Sequence, residues 1–253
     1  FWMGRPSMRL AQGLIWSEEE SASDYALKEG VEDDDAAVRH LFGEYVMRVK
    51  EYISGEDATY EGFLAVGSLL AYVVAPEFFA RNKYFPGIYI HGQSQSGKGT
   101  LADQLLTLYG FSWNACVNLS GTPYGLRAVH QQYSNLPVRL EEANNLSKEI
   151  VDFLKSTHNR EPRAKYSPDG IAAGEIMTAP VVIGEHTSNE ASLRNRFPHV
   201  QVARERRKRK DKEGPLGEVI KGEVVEHLPW FNMNRDFFFT LGRWFLLRRK
   251  QFT

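Results

Sequence analysis

The stretch from His91 to Thr100, which reads HGQSQSGKGT, constrains the fold of this chain more than any other. Residues 87–90 before it, GIYI, are apolar and predict a short buried strand, whereas residues 101–106 after it, LADQLL, predict the first turns of a helix. A strand, a glycine-containing loop and a helix in this order are the context that a phosphate-binding loop requires. The sequence therefore predicts a nucleotide site at the end of this strand.

Two glycines and one lysine give the loop its predicted chemistry. Gly92 and Gly97 allow the backbone to bend tightly because they carry no Cβ atom. Successive backbone N–H groups can then face an anion, and the helix N-terminus adds its partial positive charge. Lys98 supplies a full charge for the outer phosphates. The residues predicted to bind the nucleotide are Gly92, Gln95, Ser96, Gly97, Lys98, Gly99 and Thr100.

One position departs from the usual phosphate-loop pattern. Gly99 stands where a Ser or Thr commonly follows the lysine and contacts Mg²⁺. Thr100 is the nearest hydroxyl, so either Thr100 takes that role or the metal is held mainly by water and a distant carboxylate. The ending Gly-Lys-Gly-Thr also occurs in nucleoside monophosphate kinases, which leaves a nucleotide phosphotransferase as an alternative.

Two adjacent carboxylates, Glu141 and Glu142, follow a short apolar strand at residues 136–140. In nucleotide hydrolysis sites the first such carboxylate reaches Mg²⁺, usually through water, and the second activates the attacking water. We therefore predict Thr100 and Glu141 as metal ligands and Glu142 as the catalytic base. Arg139 is unusual in this strand, because central parallel strands are normally apolar on both faces.

A third core strand is predicted at residues 181–184, and polar residues follow its carboxyl end, where ligands of parallel sheets bind. Thr187 and Glu190 have the spacing of a capping box, which predicts a short helix that carries two arginines. Those arginines either pair with neighbours and solvent or act in catalysis. The candidates for orienting the attacking water are Glu185, Thr187 and Asn189, and the candidate catalytic arginines are Arg194 and Arg196.

The flanking segments predict the domain organisation. Residues 1–35 read as an N-terminal arm and acidic linker, and residues 36–83 as two helices, the second apolar almost all round and hence largely buried. Residues 84–203 form the predicted nucleotide-binding core, and residues 204–253 a basic segment followed by a helical region. The chain begins with Phe1, so we expect it to be a piece of a longer polypeptide.

Charge and composition limit the partners. The net charge of −1 does not by itself indicate nucleic-acid binding, but residues 158–166 are basic and aromatic and precede a strong turn. They predict either a solvated surface loop or a protruding loop or hairpin whose Arg160, Arg163 and Lys165 contact phosphates. The single cysteine excludes an intrachain disulfide, and no apolar run reaches about 18 residues, so we expect a cytoplasmic protein without a membrane partner.

Four elements occur in an order that resembles the AAA+ ATPase core of superfamily 3 and primase-helicase proteins of phages, plasmids and mobile elements. They are the loop at residues 92–98, the strand ending in Glu141 and Glu142, the strand at residues 181–184, and the segment LRNRF at residues 193–197. The resemblance implies an α/β fold: a P-loop NTPase (AAA+-like) parallel sheet flanked by helices, with an N-terminal helical collar and a C-terminal helix.

The same resemblance implies a function. Such proteins are ring-forming, commonly hexameric, ATP-hydrolysing DNA helicases or translocases that use ATP and Mg²⁺. An arginine from one subunit, here Arg194 or Arg196, reaches the nucleotide of the next, and a polar residue such as Asn189 orients water. A hairpin grips single-stranded DNA in the pore, and residues 160–166 occupy its place. The alternatives are an AAA+ DNA-binding switch or loader without unwinding activity, and the phosphotransferase.

Overall fold

The structure is a computed structural model. It describes residues 35–54, 60–109, 116–132, 136–161, 163–167, 170–174, 176, 178–202, 212–213, 219–220, 238, 241–242 and 244–245. Residues 1–34 of the predicted N-terminal arm and linker, residues 204–211 of the basic segment and most of the predicted C-terminal helix lie outside these residues. The fold described below therefore concerns mainly residues 35–202.

Strands and helices alternate along the chain from Ile88 to Asn159, after three successive helices. Among the described residues the α-helices are α1 (Asp35–Ser54), α2 (Glu61–Ala71), α3 (Ala75–Asn82), α4 (Lys98–Leu106), α5 (Pro123–Gln132), α6 (Lys148–Asn159) and α7 (Ala191–Arg194). The strands are β1 (Ile88–His91), β2 (Cys116–Asn118), β3 (Val138–Glu141), β4 (Arg163–Ser167), β5 (Gly170–Gly174), β6 (Pro180–Gly184), β7 (His199–Gln201), β8 (Lys212–Glu213) and β9 (Val219–Ile220). None of the described helices is both long and apolar enough to cross a membrane.

A five-stranded parallel sheet forms the centre of the molecule, in the order β2-β3-β6-β1-β7. The register pairs Ile88 with Val181 across β1 and β6, and Leu140 with Val182 across β3 and β6. Parallel strands need crossover connections, and the helices between them supply these. The predicted α/β fold of a P-loop NTPase is therefore confirmed.

The two faces of the sheet bury different side chains because alternate residues of a strand point to opposite faces. Ile88 and Ile90 of β1 belong to a cluster with α1, α2 and α4, whereas Tyr89 belongs to the opposite cluster with α5, α6 and α7. All three side chains are at most 1% exposed. Apolar residues on both faces explain why the core strands read as continuous apolar runs.

The predicted helical collar shares its core with the sheet. The Tyr45 hydroxyl of α1 donates to the Gln104 carbonyl oxygen of α4 at 3.2 Å. The Tyr72 hydroxyl, just after α2, donates to the Ala179 carbonyl oxygen beside β6 at 3.0 Å. The prediction that the second helix is buried on nearly all sides is wrong, because Phe63 is 47% and Leu64 is 37% exposed.

Candidate nucleotide site

The loop between β1 and α4 has the backbone conformation that its glycines allow. Gly97 precedes the helix with a φ of +86°, and Gln95 has a φ of +58°. A Cβ atom on Gly92 would lie 2.2 Å from the carbonyl oxygen of Val202, which directly follows β7. Any other residue at position 92 would therefore displace the chain at the end of β7. The predicted loop residues thus form one tight turn that opens helix α4.

Lys98 is the first residue of α4, and its ammonium group folds back over the loop. Its Nζ donates to the carbonyl oxygens of Gly92 at 2.7 Å and Gln93 at 2.8 Å. Partial burial lowers the pKa of Lys98, and the nearby Glu185 carboxylate opposes that shift. A charged ammonium held by neutral carbonyl oxygens can exchange them for phosphate oxygens, which are stronger acceptors.

Backbone contacts fix the carboxyl edge of the sheet beside this loop. The backbone N–H of Ala143, after β3, donates to the Ile183 carbonyl oxygen of β6 at 2.9 Å. The Tyr89 hydroxyl of β1 donates to the Ala143 carbonyl oxygen at 3.1 Å. Because β6 lies between β3 and β1, these bonds tie the carboxylate-bearing loop to the strand that leads into the phosphate loop.

Glu142 directly follows β3 on this edge, with an exposed side chain and a φ of +61°. Such a φ is uncommon outside glycine and turns the residue out of the strand direction. The Asn118 side-chain amide donates to Glu142 Oε2 at 2.6 Å. Sequence reasoning did not select Asn118, although its place at the end of β2, in register with Glu141, was the available signal.

Arg139, the unusual residue of β3, is buried between two carboxylates. Its guanidinium forms ion pairs with Asp103 of α4 and with Glu141, and its side chain is 8% exposed. Its Nη2 atom lies 3.1 Å from the place that a Cβ atom on Gly99 would take. The pairing explains how a charged residue is accommodated in a central strand.

Of the two residues predicted to hold Mg²⁺, Glu141 does not fit that role as it stands, because its Oε1 atom accepts from the guanidinium of Arg139. Gly99, where the usual hydroxyl would stand, has no side-chain oxygen. Within the described part of the chain, three or more His, Cys, Asp or Glu side chains nowhere cluster as they would around a metal ion. Glu141, paired with Arg139, therefore does not fit the role of a metal ligand, whereas that of Thr100 stays a prediction.

A cavity of about 340 Å³ lies where β3 and β6 end. Its lining includes the three residues considered for orienting the attacking water, and of these Thr187 and Asn189 are exposed whereas Glu185 is half-buried. The Glu185 backbone N–H donates to the side-chain oxygen of Asn144 at 2.8 Å, which fixes the mouth of the cavity. The lining residues that the sequence named are Glu185, Thr187 and Asn189.

The two candidate arginines lie at the end of the short helix α7. The Arg194 Nη1 atom donates to the carbonyl oxygens of Ser188 at 2.9 Å and Asn189 at 3.2 Å, and its side chain is exposed. The Arg196 Nη1 atom donates to the Ser192 carbonyl oxygen at 2.8 Å, and its side chain is half-buried.

The predicted capping box at Thr187 and Glu190 is wrong. Helix α7 begins at Ala191 with Glu190 as its N-cap residue, and this cap makes no side-chain hydrogen bond. The polar residues before it belong to the cavity instead. The spacing of a capping box can occur in the loop after a strand without a cap being formed, because contacts with neighbouring residues hold the loop in place.

The basic segment forms a hairpin, but Arg160 is not part of its surface. Arg160 is 5% exposed, and its guanidinium lies 4.8 Å from the ring centroid of Phe79 and 6.0 Å from that of Phe85. A buried guanidinium cannot contact a nucleic-acid phosphate, so Arg160 is withdrawn from the predicted interface. Arg163 and Lys165 lie in β4, opposite Gly174 and Ala172 of β5.

One further contact reaches the phosphate loop from α1. The Tyr52 hydroxyl donates to the Gly97 carbonyl oxygen at 3.1 Å, and the same oxygen accepts the Leu101 backbone N–H at 3.0 Å. Tyr52 is 2% exposed. No sequence motif indicates that the hydroxyl of this buried tyrosine meets the loop.

No protein-family model matches the chain, and no curated protein matches it. Its fold is similar to three solved structures, each at a TM-score below 0.5. One is an active helicase, SCCmec type IV Cch, which is 13% identical to this chain. The alignment covers 83% of this chain and 38% of the helicase chain, with a TM-score of 0.48. The C-terminal region of NrS-1 has 16% identity, coverages of 80% and 45%, and a TM-score of 0.46. NtrX from Brucella abortus, solved with ATP, has 14% identity, coverages of 67% and 41%, and a TM-score of 0.37. The chain thus spans less than half of each solved chain, and we base the functional proposal on the site itself.

Proposed function

We propose that this chain is the ATP-hydrolysing core of a ring-forming DNA helicase or translocase from a phage or mobile element. The observation that carries the proposal is the joint placement of Lys98 and Glu142. The loop with Lys98 follows β1, the exposed carboxylate of Glu142 follows β3, and both strands end at the same edge, one on each side of β6. A cation that binds the phosphates and a side chain that activates or positions water are recurring parts of such sites.

In this proposal the loop binds the triphosphate through backbone N–H groups and through Lys98. On binding, the ammonium exchanges the carbonyl oxygens of Gly92 and Gln93 for the outer phosphate oxygens. The loop residues named from the sequence supply the remaining donors, and Gly97 keeps the turn open at the start of α4.

Glu142 takes a proton from the attacking water in the proposed reaction. The exposed carboxylate is free to meet water on one side, while the Asn118 amide orients it from the other. Asn189, on the rim of the neighbouring cavity, is the proposed partner that orients this water. An arginine of a second copy, Arg194 or Arg196, stabilises the charge that develops on the phosphoryl group.

DNA binding is proposed for the hairpin of β4 and β5. Arg163 and Lys165 both lie in β4, and a polyanion is held by such cations in a salt-dependent manner. The hairpin directly follows α6, whose C-terminal turn lies beside the start of the core: the Phe85 backbone N–H donates to the His158 carbonyl oxygen at 2.9 Å. We therefore expect binding at the hairpin to affect the residues just before β1.

The first experiment measures ATP binding and ATP hydrolysis, with and without single-stranded DNA, in three variants. Lys98→Ala should abolish binding, whereas Glu142→Gln should bind ATP and slow hydrolysis by about 1000-fold. Lys155→Ala is the matched control, because Lys155 forms a surface pair with Asp152 at 3.3 Å and should behave as the parent protein.

Two results would contradict the proposal. Normal hydrolysis by Glu142→Gln would remove Glu142 as the base, and ATP binding by Lys98→Ala would remove the loop as the phosphate site. A nucleotide-dependent switch or loader is the second candidate, favoured by the hydrogen bond that holds Glu142 on Asn118. It predicts nucleotide-dependent DNA binding without strand separation.

A further inference from the structure

Three positions that depart from the usual pattern of a nucleotide site meet at one point. Gly99 lacks the expected hydroxyl, Glu141 stands where an aspartate is common, and Arg139 is a charge inside a central strand. The structure brings the three together beneath the first turn of α4, where Arg139 approaches Gly99 and pairs with Glu141. Their departures therefore have a common physical origin.

The guanidinium of Arg139 is held from two sides. Asp103, one turn into α4, and Glu141, two residues along β3, each bind a different nitrogen of its planar fork. The Arg139 side chain is 8% exposed, that of Asp103 13% and that of Glu141 32%. A guanidinium this deeply buried stays in place only while its carboxylates hold it, because an unpaired buried charge is strongly unfavourable.

Gly99 is the residue that makes room for this cation. A Cβ atom there would come within 3.1 Å of Arg139 Nη2, so any side chain at this position displaces the guanidinium by a few tenths of an ångström or more. The hydroxyl of the usual pattern and the guanidinium thus compete for one space. This chain has filled that space with a permanent positive charge.

We propose that Arg139 is a fixed cation of the nucleotide site, which takes the space of the missing hydroxyl and keeps Glu141 from acting as a metal ligand. The inference rests on the proposed function, since it concerns the same site. It follows that nucleotide binding depends little on Mg²⁺, because Glu141, the carboxylate predicted to hold the ion, is already paired with Arg139.

The test compares the affinity for ADP in Mg²⁺ and in EDTA, measured by calorimetry, so it requires no turnover. In the parent protein the two dissociation constants should differ by less than about threefold. In Arg139→Met/Asp103→Asn the net charge of the cluster is unchanged but Glu141 is released. Mg²⁺ should then strengthen ADP binding by about tenfold or more.

Arg127→Met is the matched control. Arg127 is another partly buried arginine, which donates to Ser156 Oγ at 2.8 Å and lies over Phe153 on the opposite face of the sheet. Its replacement removes the same charge without touching Glu141, so the small effect of Mg²⁺ should be retained. A large effect of Mg²⁺ in the parent protein, or an equal effect in all three proteins, overturns the inference. Failure of the parent protein to bind ADP at all would instead overturn the proposed function.

A second measurement keeps the inference testable if the double variant does not fold. Gly99→Ser in the parent protein should lower the melting temperature, because its side chain meets the guanidinium of Arg139. Gly67→Ser is the control, since a Cβ atom on Gly67 of helix α2 meets nothing within 4 Å. Equal melting temperatures for the two serine variants would show that Arg139 does not occupy the space beside Gly99.

Discussion

His130 of α5 shows how a single residue fixes its own protonation state. The side chain is fully buried, and its Nδ1 atom lies 2.8 Å from the Leu126 carbonyl oxygen, which assigns the proton of the neutral ring to Nδ1. The ring packs edge-on against Phe153. Among the described residues Nε2 has no hydrogen-bond partner, so a second proton there would be buried and unpaired. Burial accordingly lowers the pKa of His130 from 6.5 to about 4.

This pKa shift predicts a loss of stability in mild acid. The unfolded chain binds a proton at His130 below pH 6.5, whereas the folded chain does so only near pH 4. The free energy of unfolding should therefore fall as the pH decreases through this window and level off below it. Urea unfolding at a series of pH values measures the slope, and His130→Asn should reduce it by about one proton. An unchanged slope in the variant would contradict this assignment.

Individual residues were predictable where a motif fixes their chemistry and not where only the fold brings them together. Lys98 and Glu142 were selected because their neighbours in sequence define a loop and a strand end. Asp103 could not be selected, since its carboxylate gains a partner only when β3 lies beside α4. Arg139 was recognised as unusual but could not be explained until that partner was known.

At the scale of elements, helix α1 contacts the candidate nucleotide site. Tyr52 near its C-terminal end donates to Gly97 in the phosphate loop, and Tyr45, two turns earlier, donates to Gln104 in the body of α4. Both tyrosines are buried, and the hydroxyl of each donates to a backbone carbonyl oxygen. Only one of the bonds touches the loop, and this difference allows a clean comparison.

We predict that Tyr52→Phe weakens ATP binding by about three- to tenfold, because the loop loses a hydrogen bond that holds its last carbonyl group. Both variants should lower the melting temperature by similar amounts, because each loses one buried hydrogen bond. Tyr45→Phe, however, should leave the dissociation constant for ATP unchanged. Calorimetric titration and thermal unfolding of both variants provide the measurement. If Tyr52→Phe binds ATP as tightly as Tyr45→Phe and the parent protein, α1 contributes to stability alone.

Element types were predictable to a large extent, and their surroundings less so. The apolar runs that became β1, β3 and β6 were predicted correctly. The hairpin of β4 and β5 was also expected from its turn residues. Burial of Arg160 was missed because its aromatic partners come from α3 and from the start of the core, far away in sequence.

For the whole molecule, the central expectation is that one site is completed by two copies of the chain. Arg194 is exposed, and its contacts are with carbonyl oxygens of its own loop rather than with the phosphate loop. In this proposal its guanidinium, or that of Arg196, serves a neighbouring site. A shared site makes a specific prediction for mixtures of variants.

Arg194→Ala or Arg196→Ala should reduce turnover by about 1000-fold with little loss of ATP binding. An equimolar mixture of the arginine variant that loses turnover with Lys98→Ala should recover hydrolysis, because some interfaces then combine an intact loop with an intact arginine. A mixture of Lys98→Ala with Glu142→Gln is the control and should recover none, since both defects lie on one subunit's side of the site. Steady-state hydrolysis is measured for the single variants and for both mixtures. No recovery in the mixture of the arginine variant with Lys98→Ala would exclude a shared site.

The tyrosine that reaches Gly97 stands on a helix that is supported from the far end of the chain. Phe238 lies 4.9 Å from the ring of Tyr45, Phe245 lies 5.1 Å from that of Phe42, and Gly242 leaves no room for a Cβ atom against Leu108. Fragments shortened to the nucleotide core would lose these aromatic supports. Expression boundaries drawn around the sheet alone would therefore yield a phosphate loop without its brace, and an inactive fragment would say nothing about the catalytic residues.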